Sequence, residues 1–318
     1  RAAFPHTPVV MAVGNHEIVP INSFPVPSVY SLGYNPSWLY ESLAQQWADW
    51  VPEDSVASLR RGGYYVTNPR AGLRVISING NYCNSMNWWL LLSHQDPTSQ
   101  LQWLKEQLTK AEAAGEAVHI LTHIPPGNAD CEQNWSRQFA SLVTRFASTV
   151  RGIFSGHQHL DQWQVMYDPR NSSRAVSVVY IAPSATTFRE HSPSFRLFDV
   201  DGAGTDATWS VVDHHTYTTN LTIANMPGNT PEYKKRYSAR EAFGMSDLSP
   251  DSWAQVVDGM AVNKTMFNQH MRFKHNYWAE PTEIESCDRE CKERSLCFLV
   301  TGDSSNKKPC EAVKSNIV

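Results

Sequence analysis

The chain has 318 residues, 41% apolar and 18% charged, with a formal net charge of −4 at neutral pH; this is an ordinary globular composition, long enough for one large domain with a sizeable core and a smaller appendage. It contains no Lys/Arg-rich block of the kind that marks a nucleic-acid partner, so no nucleic acid is expected. Its longest apolar runs, Trp88 to Leu92 among them, are far too short to span a bilayer, and no signal-peptide pattern stands at Arg1, so a secretory protein would be numbered here from an interior or processed end.

In chain order, Pro8 to Val13 is short, apolar and stopped by Gly14, the pattern of a buried strand. Trp38 to Trp50 carries Leu39, Leu43, Trp47 and Trp50 at helical spacing. Leu73 to Ile78 reads as strand, and the Trp88-Trp89 pair with its three leucines reads as a buried helix segment in preference to a membrane-contacting loop. Ser99 to Ala114 predicts an amphipathic helix ended by Gly115, with a strand from Ala117 to Leu121 after it. A helix from about Arg137 to Thr149 leads into a strand from Gly152 to Ser155. Beyond Asp161 come successive strands, Gln162 to Tyr167, Ala175 to Ala182, Phe195 to Val200, Ala207 to Val212 and Thr216 to Leu221. From about Pro231 the pattern turns helical. This order predicts an α/β fold, a layered β-sandwich flanked by helices, with a small helical C-terminal region stapled by disulfides.

Six cysteines, Cys83, Cys131, Cys287, Cys291, Cys297 and Cys310, allow 15 pairings, and the sequence selects none of them. Free thiols in a cytosolic protein, or a structural zinc in the terminal cluster, are the alternatives. Four sequons begin at Asn134, Asn171, Asn220 and Asn263. With paired cysteines they point to an oxidising, glycosylating route, so the protein is expected to be secreted or lysosomal and these asparagines to be glycan acceptors.

Three of the apolar strands end in residues suited to a metal: Pro8 to Val13 runs into Gly14-Asn15-His16-Glu17, Ala117 to Leu121 into His123, and Gly152 to Ser155 into Gly156-His157-Gln158-His159. Ligands of α/β sheets gather at the carboxyl ends of strands, so these loops are expected to meet at one sheet edge. Glycines before Asn15 and His157 would let the backbone turn sharply there, and an extended chain would put His157 and His159 on one face. His191, His214 and His215 read as structural or surface residues.

"GNHE", the isolated histidine of "THIPPG" and "GHQH", in that order, resemble the second half of the calcineurin-like metallophosphoesterase signature. Longer stretches, "GNHEIVPINSFP", "QLQWL", "VHILTHIPPG", "YIAPSATTF" and "DHHTYTTNLT", are similar to the acid sphingomyelinase family over nearly the whole chain. The resemblance implies two zinc ions per site, with Asn15, His123 and His157 on one and His159 on the other, and His16 as the acid that protonates the leaving oxygen. It implies disulfides Cys83–Cys131, Cys287–Cys291 and Cys297–Cys310. It makes residues 1–229 the C-terminal part of a metallophosphoesterase catalytic domain and 230–318 a helical C-terminal domain. The family signature opens with Asp-x-His and Gly-Asp motifs upstream of its "GNHE", and a saposin-like domain and proline-rich linker also precede it. An N-terminal chain or segment completing the site is therefore expected before Arg1. Phe188 stands where the vertebrate pattern carries Tyr, so this side chain offers the substrate no hydroxyl there.

The implied activity is hydrolysis of sphingomyelin to ceramide and phosphocholine by a peripheral membrane enzyme. The alternatives are a related phosphodiesterase acting on nucleotides or other soluble phosphoesters, and an inactive relative that binds lipid or protein. A phosphodiester anion repels hydroxide and its leaving alkoxide is poor, so the reaction needs charge neutralisation, an activated water and a proton donor. Two zinc ions about 3.5 to 4 Å apart meet the first two needs, and neutral imidazoles with an Asn carbonyl bind zinc without adding negative charge. An imidazole with an ordinary pKa of about 6.5 is mostly protonated in an acidic lumen, which suits the donor. Protonating the nine histidines outside the proposed ligands would turn −4 into +5 at most, favouring anionic lipid surfaces in acid.

Overall fold

A computed structural model describes residues 5–93, 95–188, 191–202, 204–276 and 287–318. Its main sheet has six strands, β1 (Tyr65–Arg70), β2 (Leu73–Ile78), β3 (Ala117–Thr122), β4 (Val150–Ser155), β5 (Gln162–Asp168) and β6 (Asn171–Ile181), in the order β1-β2-β3-β4-β6-β5. Strands β2, β3, β4 and β6 run parallel, and β1 and β5 close the edges antiparallel to their neighbours. A second, antiparallel sheet of β7 (Ser194–Val200), β8 (Val211–Thr219) and β9 (Tyr233–Ser238) follows in chain order.

The period-2 pattern of the strands decides what covers each face. On β6, Val179 and Ile181 join a core with Leu104, Leu108, Trp135 and Phe139. Those four belong to helices α3 (Gln100–Ala114) and α4 (Gln133–Arg145), after α1 (Ser37–Gln46) and α2 (Val56–Gly62). The alternate β6 residues, Val178 and Tyr180, face a second core with Trp163 of β5, Val211 of β8 and Trp253, Val257, Phe267, Leu296 and Val313. The last five lie on α7 (Pro250–Val262), α8 (Lys264–His275), α9 (Arg289–Leu299) and α10 (Lys308–Ser315), which follow the short helices α5 (Leu221–Ala224) and α6 (Ala239–Phe243). The two sheets meet where Phe154 of β4 and Phe198 of β7 pack edge to face, ring centroids 4.9 Å apart, with Tyr180 and His214 beside them. The layered sandwich expected from the sequence is the observed architecture.

Helix ends follow local chemistry. The Asp96 carboxylate accepts from the Leu101 and Gln102 amides at the start of α3 and Gly115, at φ 67°, ends it. Glu132 accepts from the Asn134 and Trp135 amides to open α4. The cysteines pair as Cys83–Cys131, Cys287–Cys291 and Cys297–Cys310.

Several expected elements are corrected. Pro8 to Val13 forms no strand: the Met11 amide donates to the Tyr65 hydroxyl at 2.7 Å, and its carbonyl accepts from Tyr65 and Ser77 hydroxyls, so side chains take the place of a ladder. The strands expected at Ala207 to Val212 and Thr216 to Leu221 are one strand, β8, because Trp209 adopts a left-handed φ of 56° before it and Asn220 caps α5 after it. The region expected to be helical from Pro231 begins with β9, whose charged Lys234 and Lys235 suit an outer strand. Trp88–Leu91 is a short 3-10 turn on the surface, with Trp88 74% and Leu91 86% exposed, and not a buried helix segment.

Candidate metal centre

Strands β3 and β4 run in register, with Leu121 opposite Phe154, so their carboxyl ends release His123 and Gly156 side by side. The Gly156 amide donates to the His123 carbonyl at 3.0 Å and ties the two loops together. The loop after Val13 reaches the same edge: a side chain at Gly14 would sit 2.5 Å from the Glu17 carboxylate and 3.4 Å from the His123 ring, so glycine here serves close approach. The sharp turn lies in the histidines themselves. His157 and His159 both adopt left-handed φ values, 69° and 62°, where the sequence suggested an extended chain. Such conformations in non-glycine residues are strained by about 1 to 3 kcal/mol and concentrate at functional sites.

Asn15, His123 and His157 come into direct contact. Asn15 Oδ1 lies 2.8 Å from His123 Nε2, and His157 Nδ1 lies 3.3 Å from that same nitrogen. Burial pushes the His123 imidazole down to about 4, and the neighbouring His157, His159 and His16 add repulsion in that order. The ring is therefore neutral above about that pH and offers one lone-pair nitrogen to a cation. His159 meets Phe188 edge-on, with ring centroids 5.9 Å apart, and His16 is exposed at the rim beside buried Asn15.

The donor set fits a divalent cation. Around zinc bound to nitrogen at about 2.0 to 2.1 Å, tetrahedral ligand atoms stand about 3.3 Å apart, close to the observed His123–His157 spacing. The outer contacts turn the lone pairs inward. Asn15 Nδ2 donates to Asn22 Oδ1 at 2.9 Å, leaving Asn15 Oδ1 to face His123. His157 Nε2 faces Asp130 Oδ2 at 3.1 Å, leaving Nδ1 on the inner side. Neither Asn22 nor Asp130 stands out in the sequence, because each works through contacts that only the fold creates. Another group with ligand atoms within 4.8 Å, Asp199, Asp213 and His215, lies on β7 and β8. Protein donors already occupy it: His215 Nε2 bonds Asp199 at 2.8 Å, and Asp213 accepts the His214 and Arg240 amides.

Beside the centre an apolar groove of about 690 Å³ is lined by Ile21, Asn22, Met86, Trp88, Leu91 and Leu92, with others. Asn22 belongs to both features.

Residues 1–161 match the model of the calcineurin-like phosphoesterases, and the chain belongs to that family. Residues 168–316 match the acid sphingomyelin phosphodiesterase C-terminal region, which agrees with the acid sphingomyelinase resemblance. The sphingomyelin phosphodiesterases of Bos taurus and Homo sapiens are 40% and 39% identical over 95% of this chain, covering 48% and 47% of their own lengths. The chain thus spans about half of these curated relatives. The cyclic GMP-AMP phosphodiesterase SMPDL3A of Mus musculus is 27% identical over 96% of this chain and 68% of its own.

Proposed function

We propose that the chain carries the metal-binding half of a zinc-dependent phosphodiesterase that hydrolyses sphingomyelin to ceramide and phosphocholine. The observation that carries this reading is the contiguity, through Asn22, of an inward-facing lone-pair cluster with an exposed apolar groove. A phosphocholine ester needs the first and its hydrophobic tails the second; a nucleotide has no use for the groove. The name of the mouse relative motivates the nucleotide alternative.

Asn15, His123 and His157 would hold one cation and His159 a second, with further ligands from a segment before Arg1. When bound, the cations supply Lewis-acid charge and lower the pKa of a water. The chain's own donors are neutral, which leaves the pocket attractive to a phosphodiester anion. His16, exposed next to Asn15, would give a proton to the leaving oxygen. Trp88, Leu91 and Leu92 would contact the bilayer as a peripheral anchor. The catalytic part would span 1–229, and the C-terminal part 230–318, which opens with β9 before turning helical. Three disulfides suit a secreted or lysosomal protein, and Asn134, Asn171 and Asn263 are exposed, with Asn220 half-buried, as glycan acceptors.

The test is a side-by-side assay of the intact protein on sphingomyelin vesicles and on a nucleoside triphosphate, with metal analysis. Vesicle hydrolysis abolished by a chelator supports the reading. Turnover of the nucleotide alone, or bound metal absent together with activity, overturns it in favour of the nucleotide or the inactive form.

A further inference from the structure

The contacts behind the candidate ligands are arranged alike. Asn22 grips Asn15 twice: its amide donates to the Asn15 carbonyl at 3.0 Å, and its Oδ1 accepts from Asn15 Nδ2. That Oδ1 also accepts from Asn84 Nδ2 at 3.2 Å, so both donors fix the orientation of the Asn22 amide. On the other side Asp130 offers Oδ2 to His157 Nε2 and accepts a further bond from Asn128 Nδ2 at 3.3 Å. The two arms share a base. Asn84 follows Cys83 and Asp130 precedes Cys131, and the disulfide between these cysteines is flanked by a bridge pairing Asn84 with Cys131. The Ser85 amide donates to the Asp130 carbonyl and the Glu132 amide to the Cys83 carbonyl, both at 2.6 Å.

We propose that Asn22 and Asp130 are positioning residues of the metal centre: each presents an acceptor oxygen to the proton-bearing nitrogen of a ligand side chain, turning Asn15 Oδ1 and His157 Nδ1 toward the cation from one disulfide-clamped base. This rests on the reading of Asn15, His123 and His157 as ligands. An amide ligates only through oxygen, so reversing the Asn15 amide would present an N–H to the metal. An imidazole that donates from Nε2 to a carboxylate holds the tautomer with a free Nδ1 and becomes a stronger base there. Asp130 is 46% exposed, so its charge contributes little to folding in solvent and its effect falls on the metal.

The test measures zinc affinity of the intact protein, stripped by chelator and titrated against a fluorescent zinc indicator, together with the visible spectrum of the cobalt(II)-substituted form. Asn22 occupies a left-handed φ of 65°, so Asn22→Gly removes the amide while keeping the backbone accessible, and Asn22→Asp restores the acceptor. Asp130→Ala and Asp130→Glu form the matching pair. Asn22→Gly and Asp130→Ala are each expected to weaken zinc by about 10- to 100-fold and to change the cobalt spectrum, with metal-free melting little altered; the Asp and Glu variants recover most of the affinity. Unchanged affinity in both deletion variants, or a loss of melting temperature with affinity intact, overturns the proposal. A wild-type protein that binds no zinc overturns the ligand reading itself.

Discussion

His16 has no packing role to lose: it is exposed and sits at the rim of the cluster. His16→Ala is therefore expected to keep its bound metal and lower kcat on sphingomyelin by about 10²- to 10⁴-fold, the range of a general acid. Steady-state kinetics on a phosphodiester with a p-nitrophenyl leaving group supplies the check, because a good leaving group needs no proton and the deficit should shrink. An equal loss on both substrates would assign His16 another role. Buried His270 makes a different prediction. Burial pushes its imidazole down to about 3, with Lys274 and His275 adding repulsion, and Trp163 packs against the ring at 5.1 Å. The unfolded chain takes up a proton near pH 6.5 while the fold does not until about 3. His270 therefore removes stability as pH falls across that window. Melting temperature against pH should fall less steeply for His270→Gln than for the wild type.

At the scale of elements, the loop bearing the candidate ligands depends on distant parts of the chain. Asp161, two residues beyond His159, is buried and paired with Arg196 of β7, and it also accepts from Thr216 of β8 and Tyr237 of β9. Its amide donates to the Lys274 carbonyl at the end of α8. Arg196→Met would leave this carboxylate buried without its cation, and a loss of about 3 to 5 kcal/mol is expected in denaturant unfolding. The stretch after α9 plays a similar part for the His123 loop. A side chain at Gly127 would come 1.6 Å from the Thr301 carbonyl, and Ser304 bonds both Ser136 and the Cys131 carbonyl. Gly127→Ala should cost about 1 to 3 kcal/mol by overpacking, read as a lower melting temperature.

For the whole molecule, charge and apolar surface make separate claims on a membrane. Burial holds His214 well below the ordinary imidazole value and pushes His270 and His275 down to about 3; with those three kept neutral, the acid ceiling on net charge falls from +5 to +2. Electrostatic attraction to anionic lipid is then slight, and the exposed Trp88, Leu91 and Leu92 carry the proposed contact. Trp88→Ser with Leu91→Ser is expected to weaken vesicle binding at least about tenfold, since each buried apolar side chain contributes about 1.5 to 3 kcal/mol, while hydrolysis of a soluble phosphodiester is retained. Vesicle co-sedimentation at low and high salt decides between the two: binding that salt abolishes and the double variant keeps would reinstate charge. The sequence by itself determined much of the alternation of strands and helices and marked Asn15, His123 and His157 as candidate ligands, because local period and short motifs are written in neighbouring residues. The strand status of Tyr233 to Ser238, the exposure of Trp88, the left-handed backbone at His157 and His159, and the contacts of Asn22 and Asp130 were decided only by tertiary structure. Each of these depends on partners far away in sequence, and burial, register and hydrogen-bond pairing between such partners exist only once the chain has folded.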